Sequence, residues 1–157
     1  MKRIKLDKID KKILKNLQNN GRMTNVDLAK NAGISAPPCL RRVKALEEHG
    51  LIKSYHAKLD NLSLGYGLSA FVLIKLKSQA EADLKKFEEE CCEIARVREI
   101  HMLSGDIDFI LRVVAKDWDN YQEFLTQRLT TLDNIESVKT LPLLRSTKDL
   151  TGVPIEV

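Results

Sequence analysis

Arg41, Arg42 and Lys44 crowd into four consecutive positions just beyond a pair of prolines. Guanidinium and ammonium groups at this density can neutralise phosphate and hydrogen-bond to base edges. The plainer reading of such a run is a solvated helix face. A second cluster, Ser104-Gly105-Asp106-Ile107-Asp108, offers different chemistry. Backbone N–H groups around Gly105 can meet a carboxylate with no Cβ in the way, and Asp106 or Asp108, expected on one face of a strand, can accept from an ammonium. The same residues also read as hairpin punctuation, and the sequence weighs the two readings about equally. His101 and Arg112 are the only pieces of a conceivable catalytic pocket, and His101 reads better as a packing or interface residue within a strand. Cysteines stand at 39, 91 and 92. An odd count without a CxxC or HxxxH pair argues against a disulfide framework and a zinc site, and suits a reducing cytoplasm. Cys39 reads as core. Cys91 and Cys92, near a helix end, leave a redox role open. Glu88, Glu89 and Glu90 read as a solvated face.

The elements that must carry these groups fall into two charge classes. Up to Lys58 there are fourteen Lys or Arg against five Asp or Glu, and beyond it twelve against seventeen. A basic part is followed by an acidic one, and the first has the footprint of a polyanion binder. With 157 residues the chain suits one domain or two small ones. No apolar run reaches the length of a membrane span, and no signal peptide precedes the first helix.

The basic part reads as three helices. Asp7 caps the first, whose apolar stripe is Ile9, Ile13, Leu14 and Leu17, and Gly21 ends it. Thr24 caps the second, with Asp27 completing a variant capping box and Val26, Leu28 and Ala29 as its apolar face. Gly33 supplies the turn. Ser35 caps the third, Pro37 and Pro38 sit in its first turn, and Cys39, Val43 and Leu46 form the buried seam. Gly50 ends it, and Leu51 to Leu59 alternates as a wing strand through Ile52, Tyr55 and Ala57. This is the layout of a winged helix-turn-helix, whose second helix enters the DNA major groove.

After a hinge over Asn61 to Gly67, the acidic part reads β-α-β-β-α-β, a ferredoxin-like order. Ala70, Val72, Ile74 and Leu76 alternate with Phe71 and Leu73, so both faces of the first strand are apolar. Leu84, Phe87 and Cys91 mark one helix, and Trp118, Tyr121, Phe124, Leu125 and Leu129 the other. Val97 to Leu103, Ile107 to Ala115 and Ile135 to Leu143 are the remaining strands. The helices can cover one face, and the other calls for a second subunit.

Leu6-Asp7, Asp10, Ile13-Leu14, Leu17-Gln18, Gly21-Arg22, Leu28-Ala29 and Gly33-Ile34-Ser35 stand at a specific spacing. Pro38-Cys39-Leu40, Arg42-Val43, Leu46-Glu47, Gly50, Ile52, Tyr55 and the Ser-Gly-Asp-x-Asp turn continue it. With these residues the chain resembles the leucine-responsive/asparagine-responsive (Lrp/AsnC, feast/famine) regulators over nearly its whole length. One departure is Ala36-Pro37-Pro38, where the family more often has a single proline. The resemblance implies an α+β chain. It has a winged helix-turn-helix over 1–60, a hinge over 61–68, a ferredoxin-like effector-binding and oligomerisation domain over 69–145, and a tail over 146–157. The expected DNA contacts are Asn25, Ser35, Ala36, Pro37, Arg41, Arg42 and Lys44. The expected effector contacts are Leu103, Ser104, Gly105, Asp106 and Asp108. The partners implied are double-stranded DNA, a free amino acid and further copies of the chain, dimers assembling to an octamer. No cofactor, metal or enzymatic activity is expected. Two competing readings remain, a sirohaem-decarboxylase-like enzyme using His101 and Arg112, and a nucleoid-organising DNA binder.

Overall fold

The computed structural model describes residues 5–150 and 152–157. The chain divides into two compact units, one reaching to Lys58 and including Lys148–Val157, the other Leu59–Thr147.

The first unit is built on three helices, α1 (Lys8–Asn19), α2 (Asn25–Ala32) and α3 (Ala36–Glu48). Asp7 and Asp10 close a reciprocal capping box on α1, each side chain accepting from the other's backbone N–H. Thr24 accepts from the Asp27 N–H at the start of α2. Gly33 follows α2 at φ +80°, a left-handed conformation that makes the sharp turn into α3. Ser35 stands at the cap position of α3, but its hydroxyl makes no capping bond. Pro37 and Pro38 occupy the first turn of α3, where the helix has no need of their missing N–H groups. Ile13, Leu28, Ala29, Ala32, Cys39 and Leu46 form the core, with Val43 packed on its margin. Val26 departs from expectation. It is 68% exposed, because the stripe that α2 turns inward is Leu28, Ala29 and Ala32.

The wing strand expected over Leu51 to Leu59 is corrected by the structure, which has no regular strand in that segment. The chain instead folds back on the end of α3, with the Leu51 and Ile52 N–H groups both on the Leu46 carbonyl. Alternation cannot make a strand where no second strand supplies a ladder. Tyr55 anchors the segment by donating to Glu47 at 2.8 Å and lies over Gly21, where an added Cβ would come within 3.5 Å of its ring. The tail completes this unit. The Gln18 side-chain amide donates to the Val153 carbonyl and accepts from its N–H, in the manner of a strand neighbour, and Lys58 pairs with Asp149 at 2.7 Å.

The second unit is a four-stranded antiparallel sheet of β1 (Leu68–Leu76), β2 (Val97–Met102), β3 (Phe109–Ala115) and β4 (Ile135–Pro142), in the order β2-β3-β1-β4. With α4 (Glu81–Cys92) and α5 (Trp118–Phe124) between the strands, this is the ferredoxin-like order. Ala70, Val72, Ile74 and Leu76 are buried with Phe109, Leu111 and Val113, and α4 and α5 contribute Phe87, Cys91, Tyr121 and Phe124 to the same core. The Phe87 and Phe109 rings lie 4.9 Å apart at its centre. The second helix runs on through a π-helical turn, Leu125–Leu129, which still buries Leu129. Trp118, expected on the buried stripe, is 56% exposed at the helix start, edge-on to Tyr121. Ahead of the sheet, Asp60 to Gly67 is a run of turns closed by Asp60 on Ser63 and by the Gly67 N–H on the Lys116 carbonyl.

Candidate functional site

Helix α3 has one buried and one open face. Cys39 and Leu46 face inward with Val43 half-buried, while Pro37, Leu40, Arg41 and Lys44 are exposed at i, i+3, i+4 and i+7. That spacing is a single stripe one face wide. Arg41 and Lys44 thus stand on the side of a helix that can enter a groove, and Ser35 is exposed beside its N-terminus. Ala36 is half-buried and packs against the core.

Arg42, expected among the DNA contacts, also has partners within its own unit. Its guanidinium reaches Asp7 at 2.7 Å and Asp10 at 2.6 Å, the two residues of the α1 capping box. One arginine therefore ties α3 to the start of α1. The Asp10 N–H and the Arg42 guanidinium together hold the Asp7 carboxyl below the usual carboxylate range, and the two carboxylates raise Arg42 in turn. Asp7 is favoured in its charged form, so this stabilisation is present above the ordinary carboxylate pKa. It fades as pH falls below the ordinary carboxylate range and through the lowered value. Arg42→Ala should lower the thermal midpoint of the full chain by a few degrees at neutral pH, with a smaller difference in acid. Arg41→Ala should leave the midpoint unchanged, and differential scanning calorimetry compares the two.

Asn25 braces the turn. Its side-chain amide donates to the Ala36 carbonyl at 2.9 Å, linking the first residues of α2 and α3. Its side-chain oxygen is buried with no hydrogen-bond partner among the described residues.

In the second unit, the loop between β2 and β3 borders a cleft of about 300 Å³. Gln79, Ser104, Gly105 and Asp108 form its polar wall, and Leu84, Met102 and Leu103 its apolar one. The expectation that Asp106 and Asp108 share a strand face is corrected, because β3 begins only at Phe109. Asp108 is buried, its carboxylate accepting from the Leu76 N–H at 2.7 Å and the Gln79 amide at 2.8 Å. Two bonds leave lone pairs free on both oxygens. Its backbone also bonds on both sides, the N–H to Ile74 and the carbonyl from the Leu103 N–H. These bonds pull Asp108 inward and leave Asp106 exposed, outside the cleft lining. Gly105 has φ +137°, in the left-handed region that favours glycine. Gln79 and Leu84 reach the cleft from the turn before α4 and from α4 itself, some twenty residues upstream of the loop, with no local motif to signal them.

On the other face of the sheet, Phe71, Leu73 and Ile110 remain half-exposed. Glu99 lies there with Arg112 and His101. Burial would raise the Glu99 carboxyl, but hydrogen bonds from Arg112 and His101 outweigh it and hold the group low. His101 and Arg112 therefore belong to an open sheet face and line no part of the cleft. Among the described residues no group of three His, Cys, Asp or Glu side chains gathers to hold a metal, and no helix is long and apolar enough to cross a membrane.

The three cysteines separate by burial. Cys39 and Cys91 are buried, and Cys92 is exposed. Burial pushes the Cys91 thiol up to about 12, and raises Cys39 as well. At pH 7 a thiol of that pKa is ionised about once in a hundred thousand. A thiol-specific reagent should therefore titrate one cysteine in the native protein and the other two only after unfolding, and a single rapid phase of three would contradict this packing.

Comparison with known proteins agrees with this arrangement. Residues 6–53 match the family model described as winged helix-turn-helix DNA-binding, and residues 69–153 the one described as Lrp/AsnC ligand binding domain. The chain is 47% identical over 153 residues to the leucine-responsive regulatory protein of Rhizobium meliloti, covering 98% of each. It is 41% identical over 141 residues to the Bkd operon transcriptional regulator of Pseudomonas aeruginosa, covering 90% of this chain and 92% of that one. Among solved structures, a Neisseria meningitidis transcriptional regulator in complex with L-Met superposes with a TM-score of 0.91 at 32% identity, covering 96% and 97% of the two chains.

Proposed function

The chain belongs to the Lrp/AsnC family of transcriptional regulators, and from that premise we propose that it binds double-stranded DNA through α3 and responds to a free amino acid held in the cleft beside Gly105. The carrying observation for the first half is the open stripe of α3. Among the described residues Arg41 and Lys44 have no ion-pair partner on it, whereas Arg42 is tied to α1. Ser35 and Pro37 lie at the same end of the helix, where recognition helices meet base edges and phosphate. Asn25 and Ala36 act in this reading as the brace that sets the angle between α2 and α3. Arg42 supports the fold of the reading head and makes no contact with DNA.

The cleft has what a zwitterion needs. Backbone N–H groups around Ser104 and Gly105 suit a carboxylate, the Asp108 carboxylate suits an ammonium, and Leu84, Met102 and Leu103 suit an apolar side chain. That a similar protein has been solved with L-Met supports an amino acid as the ligand class. The ferredoxin-like unit also carries self-association. Phe71, Leu73 and Ile110 present an apolar surface that a second copy's sheet would cover, as in packed sheets generally. Dimers, assembling further to an octamer, are the proposed working form, in the cytoplasm. Selection of genomic fragments by the purified protein, with and without each of the twenty amino acids, tests the whole reading. Enrichment of a shared sequence that changes with one amino acid is the expected result, and no enrichment under any condition would overturn it.

A further inference from the structure

We propose that Leu40 reads the methyl group of a thymine in the DNA site, making it a specificity-determining residue of α3 alongside Arg41 and Lys44. The inference rests on the reading of α3 as the helix that enters the major groove. Leu40 is 44% exposed, and although its neighbours Ala36, Cys39 and Val43 pack into the core of the first unit, it does not. A lone exposed leucine is ordinary on a protein surface. This one stands in the first half of α3, in the open stripe between Pro37 and Lys44 and next to Arg41. Lys44 is four residues beyond it, about 6 Å along the axis.

The tie between Arg42, Asp7 and Asp10 narrows what this face can read. Without Arg42 the stripe offers two cations and one large apolar side chain. Base edges in the major groove present acceptors and donors, but only one apolar group, the C5-methyl of thymine. An aliphatic side chain carried into the groove therefore either meets that methyl or is desolvated against polar edges at a cost. Arg41 or Lys44 can take guanine acceptors, and Leu40 complements them by preferring thymine over cytosine in the same register.

The test removes the methyl and nothing else. Duplexes selected from a random library by the purified full-length protein are amplified with either thymidine or deoxyuridine triphosphate, giving the same sequence with and without the methyl groups. Affinities are then measured by mobility shift for wild type, Leu40→Ala and Leu40→Gln. Loss of one buried methyl should weaken wild-type binding about 4-fold, and about 15-fold where two half-sites are read. Both variants should bind the thymine form more weakly than wild type and should no longer distinguish the two forms. Circular dichroism checks their fold, and the wild-type comparison stands whether or not either variant folds. Equal wild-type affinity for both forms would overturn the proposal and leave α3 as the DNA-binding helix. A methyl preference that persists unchanged in folded variants would also overturn it, by placing the effect in DNA shape or another side chain. Failure to select any duplex would overturn the proposal together with the reading beneath it.

Discussion

Full-length protein carrying both Arg41→Ala and Lys44→Ala should lose at least about a thousand-fold in DNA affinity at moderate salt while keeping its fold and its oligomer. In the proposed dimer two side chains on each of two half-sites are removed, and side chains that read base edges are worth about 1–3 kcal/mol each. Four such deletions make about 4 kcal/mol at the least, which is the thousand-fold. Neither residue supports the fold, since both are exposed and neither belongs to the packed cluster of the first unit. The thermal midpoint should therefore not move. Salt dependence separates the two possible kinds of interaction. If both cations bind phosphate, the slope of log affinity against log salt should flatten by about 0.9 for each phosphate no longer neutralised. If both read bases, discrimination between the selected duplex and a scrambled one should collapse instead. A mobility-shift series from low to high salt on both duplexes distinguishes these outcomes. Unchanged affinity in the double variant would remove α3 from the interface.

The contrast between Arg41 and Arg42 shows where sequence reasoning stops. The helix itself was legible, because Cys39, Val43 and Leu46 recur at helical spacing and two prolines sit where a first turn tolerates them. The turn before it was legible from Gly33, and the α1 cap from Asp7 with Asp10 three residues later. Which of three closely spaced cations point outward was not, since the partners of Arg42 lie more than thirty residues away at the start of α1. The same holds for the cleft. Ser104 and Gly105 carry a recognisable loop motif, but Gln79 and Leu84 enter through the register of β1 and the position of α4. Asp108 is turned inward by the Leu76 N–H, a hydrogen bond from the end of β1 to the loop that no spacing rule encodes. The regular strand expected in the wing is absent for a related reason. Alternation at Ile52, Tyr55 and Ala57 describes a chain able to be a strand, and a strand also needs a neighbour. Gln18 and Val153 make the opposite case, because a side-chain amide serves there as the neighbour of a single extended tail, across a sequence distance that leaves no local signal.

Gly105→Asp should abolish the response to the amino acid effector and leave basal DNA binding intact. At a ligand concentration a hundred times its dissociation constant, a bound amino acid stabilises the folded protein by about 2.7 kcal/mol, a rise of several degrees in thermal midpoint. The variant should show none. Two effects combine. Gly105 adopts φ +137°, where any side chain is strained, and an aspartate there adds negative charge beside the N–H groups assigned to the ligand carboxylate. Space alone would not exclude the new side chain, because a Cβ at that position meets nothing within 4 Å. The effect is thus assigned to charge and backbone strain, and Gly105→Ala, which brings the strain without the charge, should weaken the response without removing it. Asp108→Asn should also abolish it, by removing the charge that faces the ammonium, at a smaller cost to the fold because the Asn side-chain oxygen can still accept from the Leu76 N–H. Asp106→Ala is the counterpart, since Asp106 is exposed and lines no part of the cleft. It should retain the response. Calorimetric titration of wild type and the four variants against all twenty amino acids carries the test. Binding that survives Gly105→Asp and Asp108→Asn alike would place the effector elsewhere. Because regulation requires the ligand to favour one assembly or DNA-bound state over another, the same titrations repeated with the selected duplex present should shift the wild-type dissociation constant. The reciprocal shift in DNA affinity should have the same magnitude, and a ligand that binds equally well with and without DNA would be no effector of DNA binding.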